Sequence, residues 1–367
     1  MTDDVKYMKQ ALTLARKGIG KTSPNPAVGC VIVRDGSIVG KGWHKKAGSP
    51  HAEINALNMT GDLAQGADVY VTLEPCCHTG KTPPCSQALI RAGVKRVVVG
   101  MGDPNPKVSG GGLAELQAAG IETVCGILED DCRDINRPFI KQVTTGMPYV
   151  TYKCAMTLDG KIATATGESR WISCEDSRTY VHKMRSRMDA IMVGVDTIIA
   201  DNPELTVRHV RGRNPLRVVV DTRLRTPESV KVLSRGNAAG TIIATIETNP
   251  RVHLRYLRQG ATVLTCQQDR GRVSMEDLLF KLGGMGIQSI LLEGGGRLAG
   301  SMLNYGLIDE YVFFMAPKLL GSDGFSPFNL VGKTSMDQAF RVTITHVGRC
   351  GSDIIVHARP EAPCSLD

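Results

Sequence analysis

Three cysteines and one histidine fall within the segment EPCCHTGKTPPC, residues 74–85 of this 367-residue chain. Upstream, the segment SPHAE places His51 two residues before Glu53. One imidazole and two thiolates are a ligand set of a catalytic zinc whose fourth position is left to water. We therefore predict that His51, Cys76 and Cys85 bind zinc. Glu53 is then the predicted proton carrier for the activated water.

Cys77 and His78 are rival ligands in the same segment. Cys77 directly follows Cys76, and two adjacent thiolates on one tetrahedral ion would strain the backbone. Cys76 and Cys85 are favoured because each follows a proline and borders a predicted element. A structural zinc would need a fourth protein ligand, and His78 is the candidate for it.

The order HxE, then PC, then a second cysteine is the signature of zinc nucleobase deaminases, in which two residues separate the cysteines. Here eight residues, CHTGKTPP, separate Cys76 from Cys85. The insert must form a loop before the chain returns with the second thiolate, and its glycine and paired prolines suit an ordered turn.

The elements that must hold these residues alternate between helix and strand. Ser49 and Pro50 predict a helix start with Ser49 near the cap, which puts His51 and Glu53 in the first turn. A hairpin is predicted at the DG dipeptide, residues 35–36. Alternation of this kind predicts an α/β fold with helices on both faces of a sheet.

The segment TTGMP, residues 144–148, interrupts this pattern, and we predict two domains, 1–146 and 147–367. A second α/β set follows, with capping boxes predicted at Ser173 (SCED) and Ser274 (SMED). Near its end Glu293 precedes GGGRLA, a glycine-rich strand-to-helix turn whose amides can cradle a phosphate. An ordinary glycine-rich turn explains this motif equally well, and the acidic ribose ligand of a Rossmann unit is not found at the expected place.

Composition narrows the class of protein. The chain is 42% hydrophobic and 22% charged, as in globular enzymes. It shows neither a signal peptide nor an apolar run of bilayer length, so we expect a cytoplasmic protein with reduced thiols and no membrane partner. The net charge of +8 suits anionic ligands, but it is spread along the chain and does not indicate nucleic acid.

The segments SPNPAVGCVIV, SPHAEINAL, VTLEPCCHTGKTPPC and GMGDPNP resemble the deaminase half of the bifunctional deaminase–reductases of riboflavin biosynthesis. KCAMTLDGKIATATGESRWIS, MVGVDTIIADNPELTVR, ILLEGGGRLAGSML and APKLLG resemble their reductase half. Together these segments cover nearly the whole chain in the expected order. The eight-residue cysteine spacing is a variant that this family has.

The resemblance implies a cytidine-deaminase-like three-layer domain followed by a dihydrofolate-reductase-like α/β domain. It implies zinc-dependent hydrolytic deamination of 2,5-diamino-6-ribosylamino-4(3H)-pyrimidinone 5′-phosphate. NADPH then reduces the ribosyl group to ribityl, giving 5-amino-6-(5-phosphoribitylamino)uracil. A homo-oligomer acting on a small phosphorylated pyrimidine is expected.

The resemblance also assigns residues. The deaminase pocket would comprise Asn25, His78 and Lys81. Contacts with NADPH would come from Ala155, Trp171, Thr197, Asp201, Gly295, Gly296, Arg297, Leu298, Ala299, Gly300 and Ser301. Contacts with the sugar phosphate would come from Ser169, Arg185, Leu205, Arg208 and Glu293. The two arginines suit bidentate binding of phosphate. Lys153 would polarise the sugar aldehyde.

Simpler interpretations of several residues stay open. Asn25 stands between two prolines, as a turn residue does. Lys153 fits a surface strand position and Trp171 a core position. Two other functions are also considered: a nucleic-acid deaminase, which would need a basic or aromatic groove, and a zinc-stapled regulatory protein. A regulator would have no use for the free carboxylate of Glu53.

Overall fold

The computed structural model describes residues 3–78, 83–105 and 109–361. The chain separates into two compact units, Met1–Met147 and Pro148–Asp367. Each unit has its own β-sheet, and both are mixed α/β structures as predicted.

The strands of the first unit are β1 Gly29–Arg34, β2 Ser37–Trp43, β3 Asp68–Val71, β4 Arg96–Val99 and β5 Glu122–Cys125. Its helices are α1 Asp3–Ala15, α2 Ala52–Thr60, α3 Cys85–Arg91, α4 Gly111–Ala118, α5 Glu129–Ile135 and α6 Arg137–Thr145. The strand order is β2-β1-β3-β4-β5, with β3, β4 and β5 parallel and β1 antiparallel to both neighbours. Asp35 and Gly36 both have positive φ, 50° and 72°, which confirms the predicted tight hairpin between β1 and β2.

The strands of the second unit are β6 Tyr149–Thr157, β7 Ala190–Gly194, β8 Leu216–Val220, β9 Thr241–Thr245, β10 Thr262–Thr265, β11 Gln268–Asp269, β12 Arg272–Val273, β13 Ser289–Leu292, β14 Glu310–Ala316, β15 Val342–Cys350 and β16 Asp353–Pro360. Its helices are α7 Glu175–Arg187, α8 Val195–Asp201, α9 Pro250–Leu257, α10 Met275–Gly284 and α11 Gly296–Asn304. The large sheet has the order β10-β9-β8-β7-β13-β6-β14-β16-β15.

Seven neighbouring strands of this large sheet, from β10 to β14, are parallel. The last two strands differ: β16 runs antiparallel to β14, and β15 runs antiparallel to β16. Carboxyl ends of parallel strands meet at one edge, which is where α/β sheets bind ligands. Glu293 follows β13 at this edge, and Thr197 lies one turn beyond the end of β7.

One predicted capping box is confirmed and the other is wrong. The Ser274 side chain accepts a hydrogen bond from the Asp277 amide at the start of α10. At α7 the cap residue is Cys174, and no side chain in the described part of the chain caps the helix. There the Cys174 amide donates to Asp353 at 2.9 Å, a partner from a distant strand that overrides the local motif.

Candidate metal centre and reductase site

The side chains of His51, Cys76 and Cys85 converge, and their ligand atoms all lie within 4.8 Å of one another. His51 Nδ1 is 3.3 Å from Cys85 Sγ and 3.6 Å from Cys76 Sγ. Zinc bonds of the usual length set N···S and S···S edges of about 3.5–3.8 Å in a tetrahedral site. Within the described residues this is the one group of three that fits a metal ion, and its geometry suits zinc.

Three different elements bring the ligands together. His51 is the N-cap of α2, Cys76 follows β3, and Cys85 is the first residue of α3. The Cys85 amide donates to Cys76 Sγ at 3.4 Å, and the Ser86 amide donates to the Cys76 carbonyl at 3.2 Å. The start of α3 is therefore fixed directly against the first cysteine.

The pKa values of the two ligand thiols are shifted in opposite directions. Hydrogen bonds from Cys85 and His51 lower the pKa of Cys76 to about 4, against the opposing effect of burial. The hydrogen bond to Cys76 and burial raise the pKa of Cys85. Thiolates are the forms that bind zinc, so a bound dication would favour loss of the protons of both cysteines.

Glu53 stands two residues from His51 and is 3% exposed. Burial raises the pKa of its carboxyl to about 7. A carboxyl group with a pKa near neutrality both takes up and releases a proton readily, as general acid–base catalysis requires.

The predicted start of α2 is two residues too early. His51 has extended backbone and α2 begins at Ala52, because the Pro50 carbonyl accepts from the Asn55 side chain at 3.1 Å instead of entering the helix. The helix lies very close to β2. A Cβ added to Gly42 would stand 2.1 Å from the Ala52 carbonyl oxygen, so only glycine permits this approach.

Glu74, which sequence reasoning missed, anchors a loop beside Cys76. Its buried carboxylate accepts four backbone N–H groups at 3.0–3.2 Å, from Asp103, Gly110, Gly112 and Leu113. Two of these belong to the first turn of α4, where a negative charge is favourable. The only sequence signal was a carboxylate directly before the PC dipeptide.

Asn25 lies beside the metal ligands. Its Nδ2 is 3.2 Å from His44 Nε2, and the His44 and His51 rings are 5.4 Å apart. His44 Nδ1 faces the Pro50 carbonyl at 3.3 Å and so carries the proton, which leaves Nε2 as acceptor. Asn25 Nδ2 is then the donor in this contact, which does not use its Oδ1. His44 was not predicted.

The rival ligands do not join the cluster. His78 is exposed, and Cys77 packs toward Gly111, where an added Cβ would meet its sulfur at 2.7 Å. Lys81 lies outside the described residues.

In the second unit Arg185 of α7 and Glu293 after β13 form a bidentate pair. Nε and Nη2 of the arginine each donate to one carboxylate oxygen at 2.7 Å. The two side chains are only 12% and 9% exposed. Although burial opposes it, the guanidinium lowers the pKa of Glu293. In this structure Glu293 occupies the edge of the guanidinium that could bind a phosphate through two nitrogens, and the contact of Arg185 with the sugar phosphate stays a prediction.

Lys153 is half-buried on β6 and is not the surface lysine of the simpler interpretation. Burial lowers the pKa of its ammonium group, and the negative charge of Glu293 opposes that change. The side chain therefore belongs to the same electrostatic group as Arg185 and Glu293.

The glycine-rich turn leads into α11. Within the described residues no side chain caps this helix, so the amides of its first turn are available to an anion. The Gly295 amide donates to Thr197 Oγ1 at 3.3 Å. Gly296 and Gly300 have a packing role, since a Cβ at either would stand 2.6–2.7 Å from backbone oxygens of Ser326 and Asn329.

The other predicted contacts differ in exposure. Trp171 is 64% exposed, so the core interpretation of it is wrong, and the Arg178 guanidinium lies 4.6 Å from its ring centre. The Asp201 carbonyl accepts from the Arg170 side chain at 3.1 Å. Ala155 and Ser169 are half-buried, and Leu205 is buried with a positive φ of 54°.

Comparisons with known proteins are consistent with this division. Residues 1–101 match the cytidine and deoxycytidylate deaminase zinc-binding region, and residues 148–356 match the RibD C-terminal domain. The riboflavin biosynthesis protein RibD of Actinobacillus pleuropneumoniae is 44% identical over 354 residues, covering 96% of this chain and 94% of that one. The chain belongs to the RibD family.

Other RibD proteins agree in length and fold. The RibD protein of Escherichia coli K12 is 40% identical, covering 96% of this chain and 98% of that one. The solved RibD of Acinetobacter baumannii, form 1, has a TM-score of 0.90 and 40% identity over 98% of this chain and 99% of that one. A Thermotoga maritima structure described as a diaminohydroxyphosphoribosylaminopyrimidine deaminase and 5-amino-6-(5-phosphoribosylamino)uracil reductase has a TM-score of 0.85 and 36% identity, over 98% of this chain and 99% of that one.

As a RibD protein, the chain combines a zinc-binding deaminase domain with a reductase domain of the NADPH-using type, and the predicted fold classes of both are confirmed. None of the helices in the described part of the chain is both long and apolar enough to cross a bilayer.

Proposed function

We propose that this chain catalyses two successive steps of riboflavin biosynthesis. Residues 1–146 would deaminate 2,5-diamino-6-ribosylamino-4(3H)-pyrimidinone 5′-phosphate, and residues 147–367 would reduce the product to 5-amino-6-(5-phosphoribitylamino)uracil with NADPH. The observation that carries the first step is the convergence of His51, Cys76 and Cys85 beside the buried Glu53. The second step is supported by the match of the other unit to the RibD C-terminal domain.

In the deaminase, His51 Nδ1 and the sulfurs of Cys76 and Cys85 would hold the metal and leave a fourth position open. Bound zinc would supply there a water of lowered pKa. The Glu53 carboxylate would take a proton from that water as oxygen adds to the ring carbon. It would then deliver a proton to the departing amino nitrogen as the C–N bond breaks. The two protons of the water thus end on ammonia and on the ring nitrogen, and a carbonyl remains on the ring.

The pyrimidine would be oriented by Asn25, His78 and Lys81. The contact between Asn25 Nδ2 and His44 supports a specific role, because it leaves the amide oxygen to accept a hydrogen bond from an N–H group of the substrate. His78 and Lys81 lie within the insert between the cysteines and would contact the ribose phosphate. Their roles rest on the resemblance.

In the reductase, NADPH would supply the hydride. Its phosphates would lie on the amides of the turn from Gly295 to Ser301, an assignment supported by the uncapped start of α11. Ala155, Trp171, Thr197 and Asp201 would complete the cofactor site.

The sugar phosphate would be held by Ser169, Arg185, Leu205, Arg208 and Glu293. The guanidinium of Arg208 suits a phosphate because it is exposed and positioned on a loop. Glu293, fixed by Arg185, would accept hydrogen bonds from ribose hydroxyls. Lys153 would donate to the aldehyde oxygen as the hydride arrives, and its lowered pKa makes it a readier proton donor.

We further propose a cytoplasmic homo-oligomer. The edge strand β15 supports it, because Val342, Ile344 and Val347 are 40–60% exposed. Apolar side chains on an unpaired strand edge are a common association surface. Ile344→Lys should lower the mass measured by light scattering. If the wild-type protein and the Ile344→Lys variant both have the mass of a single chain, the proposed oligomer is wrong.

The two activities can be tested on one preparation. Ammonia release is measured with the diamino substrate, and NADPH oxidation is measured with the deaminated substrate. Glu53→Gln should lower ammonia release by about 10²–10⁴-fold and leave NADPH oxidation unchanged. Wild-type protein that releases no ammonia, or a Glu53→Gln variant as active as wild type, would contradict the proposal.

A further inference from the structure

His182 of α7 is a buried histidine that the proposed chemistry does not use. It is 5% exposed, and its Nδ1 accepts the backbone N–H of Arg208 at 3.0 Å. Because Nδ1 accepts a hydrogen bond here, it carries no hydrogen of its own, so the ring is neutral with its hydrogen on Nε2.

The surroundings of His182 keep it neutral. Burial, and electrostatic interactions led by the guanidinium of Arg185, lower its pKa to about 4. The ring of His209 lies 4.5 Å away at an inclination of 65°. At neutral pH the lone pair on Nδ1 is therefore always available to the Arg208 amide.

The same helix holds the loop at a second point. Arg185 Nη1 donates to the Thr206 carbonyl at 3.1 Å. Two residues on, the Arg208 side chain bonds Thr206 Oγ1 and Glu204 at 3.3 Å while remaining 48% exposed. Two side chains of α7, His182 and Arg185, thus hold the backbone of the loop, while the guanidinium of Arg208 stays about half exposed.

We propose that His182 is a positioning residue of the reductase, which fixes the backbone of Arg208 so that its guanidinium meets the substrate phosphate. The proposal rests on the proposed function, in which Arg208 binds that phosphate. His182 itself touches no substrate. Its effect must therefore appear in the binding of phosphorylated substrates and not in hydride transfer.

Two amide substitutions separate the roles of the ring nitrogens. Asn places an oxygen acceptor near the position of Nδ1, whereas Gln places it near that of Nε2. His182→Gln should raise KM for the deaminated, phosphorylated substrate about tenfold, as loss of one positioning hydrogen bond would. The kcat and the KM for NADPH should stay within about twofold, which marks lost binding and not lost catalysis. His182→Asn should stay near wild type.

Activity on the dephosphorylated substrate distinguishes loss of phosphate binding from a general structural defect, because a structural defect would lower activity on both substrates. His182→Gln should leave kcat/KM for it unchanged, so that the preference for the phosphorylated form falls about tenfold. Ammonia release by the other domain of the same chain serves as an internal control. If Gln prevents folding, His182→Leu replaces it in the same assays.

The outcomes distinguish the two proposals. If Arg208→Ala leaves KM for the phosphorylated substrate unchanged, the phosphate role of Arg208 is wrong. If Arg208→Ala raises KM and neither His182→Gln nor His182→Leu does, the positioning role is wrong. Equal behaviour of Asn and Gln, or equal losses on both substrates, also overturns it. If His182 acts through Arg208, adding His182→Gln to Arg208→Ala causes no further rise in KM.

Discussion

The two candidate sites are built in different ways. In the metal centre the ligands His51 and Cys85 are 34 positions apart, and all three donor atoms lie within 4.8 Å of one another. In the reductase unit the central pair, Arg185 and Glu293, is 108 positions apart. The metal centre needs residue types that bind zinc, and these can be recognised in the sequence. The reductase site depends on charged residues that come together only at the edge of the folded sheet. Local motifs therefore identify the first kind of site far better than the second.

The largest expected effect separates the ligands of the metal centre from their neighbours. Cys85→Ser should reduce zinc from about one per chain to a small fraction and lower ammonia release by at least about 100-fold, since catalytic zinc needs its three protein ligands. Cys77→Ser is the matched control and should retain zinc. Elemental analysis of both variants decides this. Zinc kept by Cys85→Ser and lost from Cys77→Ser would show that the ligands are wrongly assigned.

The second effect concerns the charges of the reductase unit. Glu293→Gln leaves the Arg185 guanidinium without a charged partner at a site 9–12% exposed. Removing one partner of a buried pair lowers the free energy of unfolding by about 3–5 kcal/mol. Denaturant unfolding followed in the reductase unit should show this loss, while zinc content stays constant. A loss under about 1 kcal/mol would mean that water screens the pair.

A smaller effect is expected where α2 approaches β2. Gly42→Ala introduces a Cβ 2.1 Å from the Ala52 carbonyl oxygen, so α2 must move. Overpacking of this kind costs about 1–3 kcal/mol, and the shift also displaces His51 and Glu53. Thermal unfolding and ammonia release should both decline. Gly284→Ala at the end of α10, where an added Cβ meets nothing within 4 Å, is the control and should be neutral or stabilising. Equal results for both variants would contradict the close approach.

The smallest effect is expected for a surface ion pair of the reductase unit. Arg225 and Asp196 are 2.6 Å apart, but their side chains are 52% and 57% exposed. Exposed pairs contribute about 0–1 kcal/mol, so Arg225→Ala should change the free energy of unfolding by less than about 1 kcal/mol. Chemical denaturation of Arg225→Ala and Glu293→Gln, side by side, measures the loss of free energy of unfolding in each variant. A loss as large as that of Glu293→Gln would remove the distinction between buried and exposed pairs.

Several local predictions held because they depend on a few adjacent residues. The Asp35-Gly36 hairpin and the Ser274 cap are both present. The start of α2 was wrong because the Pro50 carbonyl is taken by the side chain of Asn55, five residues further on. The cap of α7 was wrong because a partner from a distant strand, Asp353, takes the Cys174 amide. Tertiary hydrogen bonds of this kind leave no mark in a short motif.

The pairing of Arg185 is another tertiary contact that no short motif reveals. An arginine near a helix end suits a phosphate, and only the fold reveals that Glu293 occupies its bidentate edge. Glu74, His44 and His182 were missed for the same reason, because their partners are backbone groups or rings supplied by other segments.

By itself the sequence determined the donor types of the metal centre, the acid–base carboxylate and the alternation of helix and strand, because each is specified by residue type and short spacing. Only the tertiary structure decided which charges are buried, which polar edges remain open and which loops are held. Those properties depend on desolvation and on contacts between segments more than 100 positions apart.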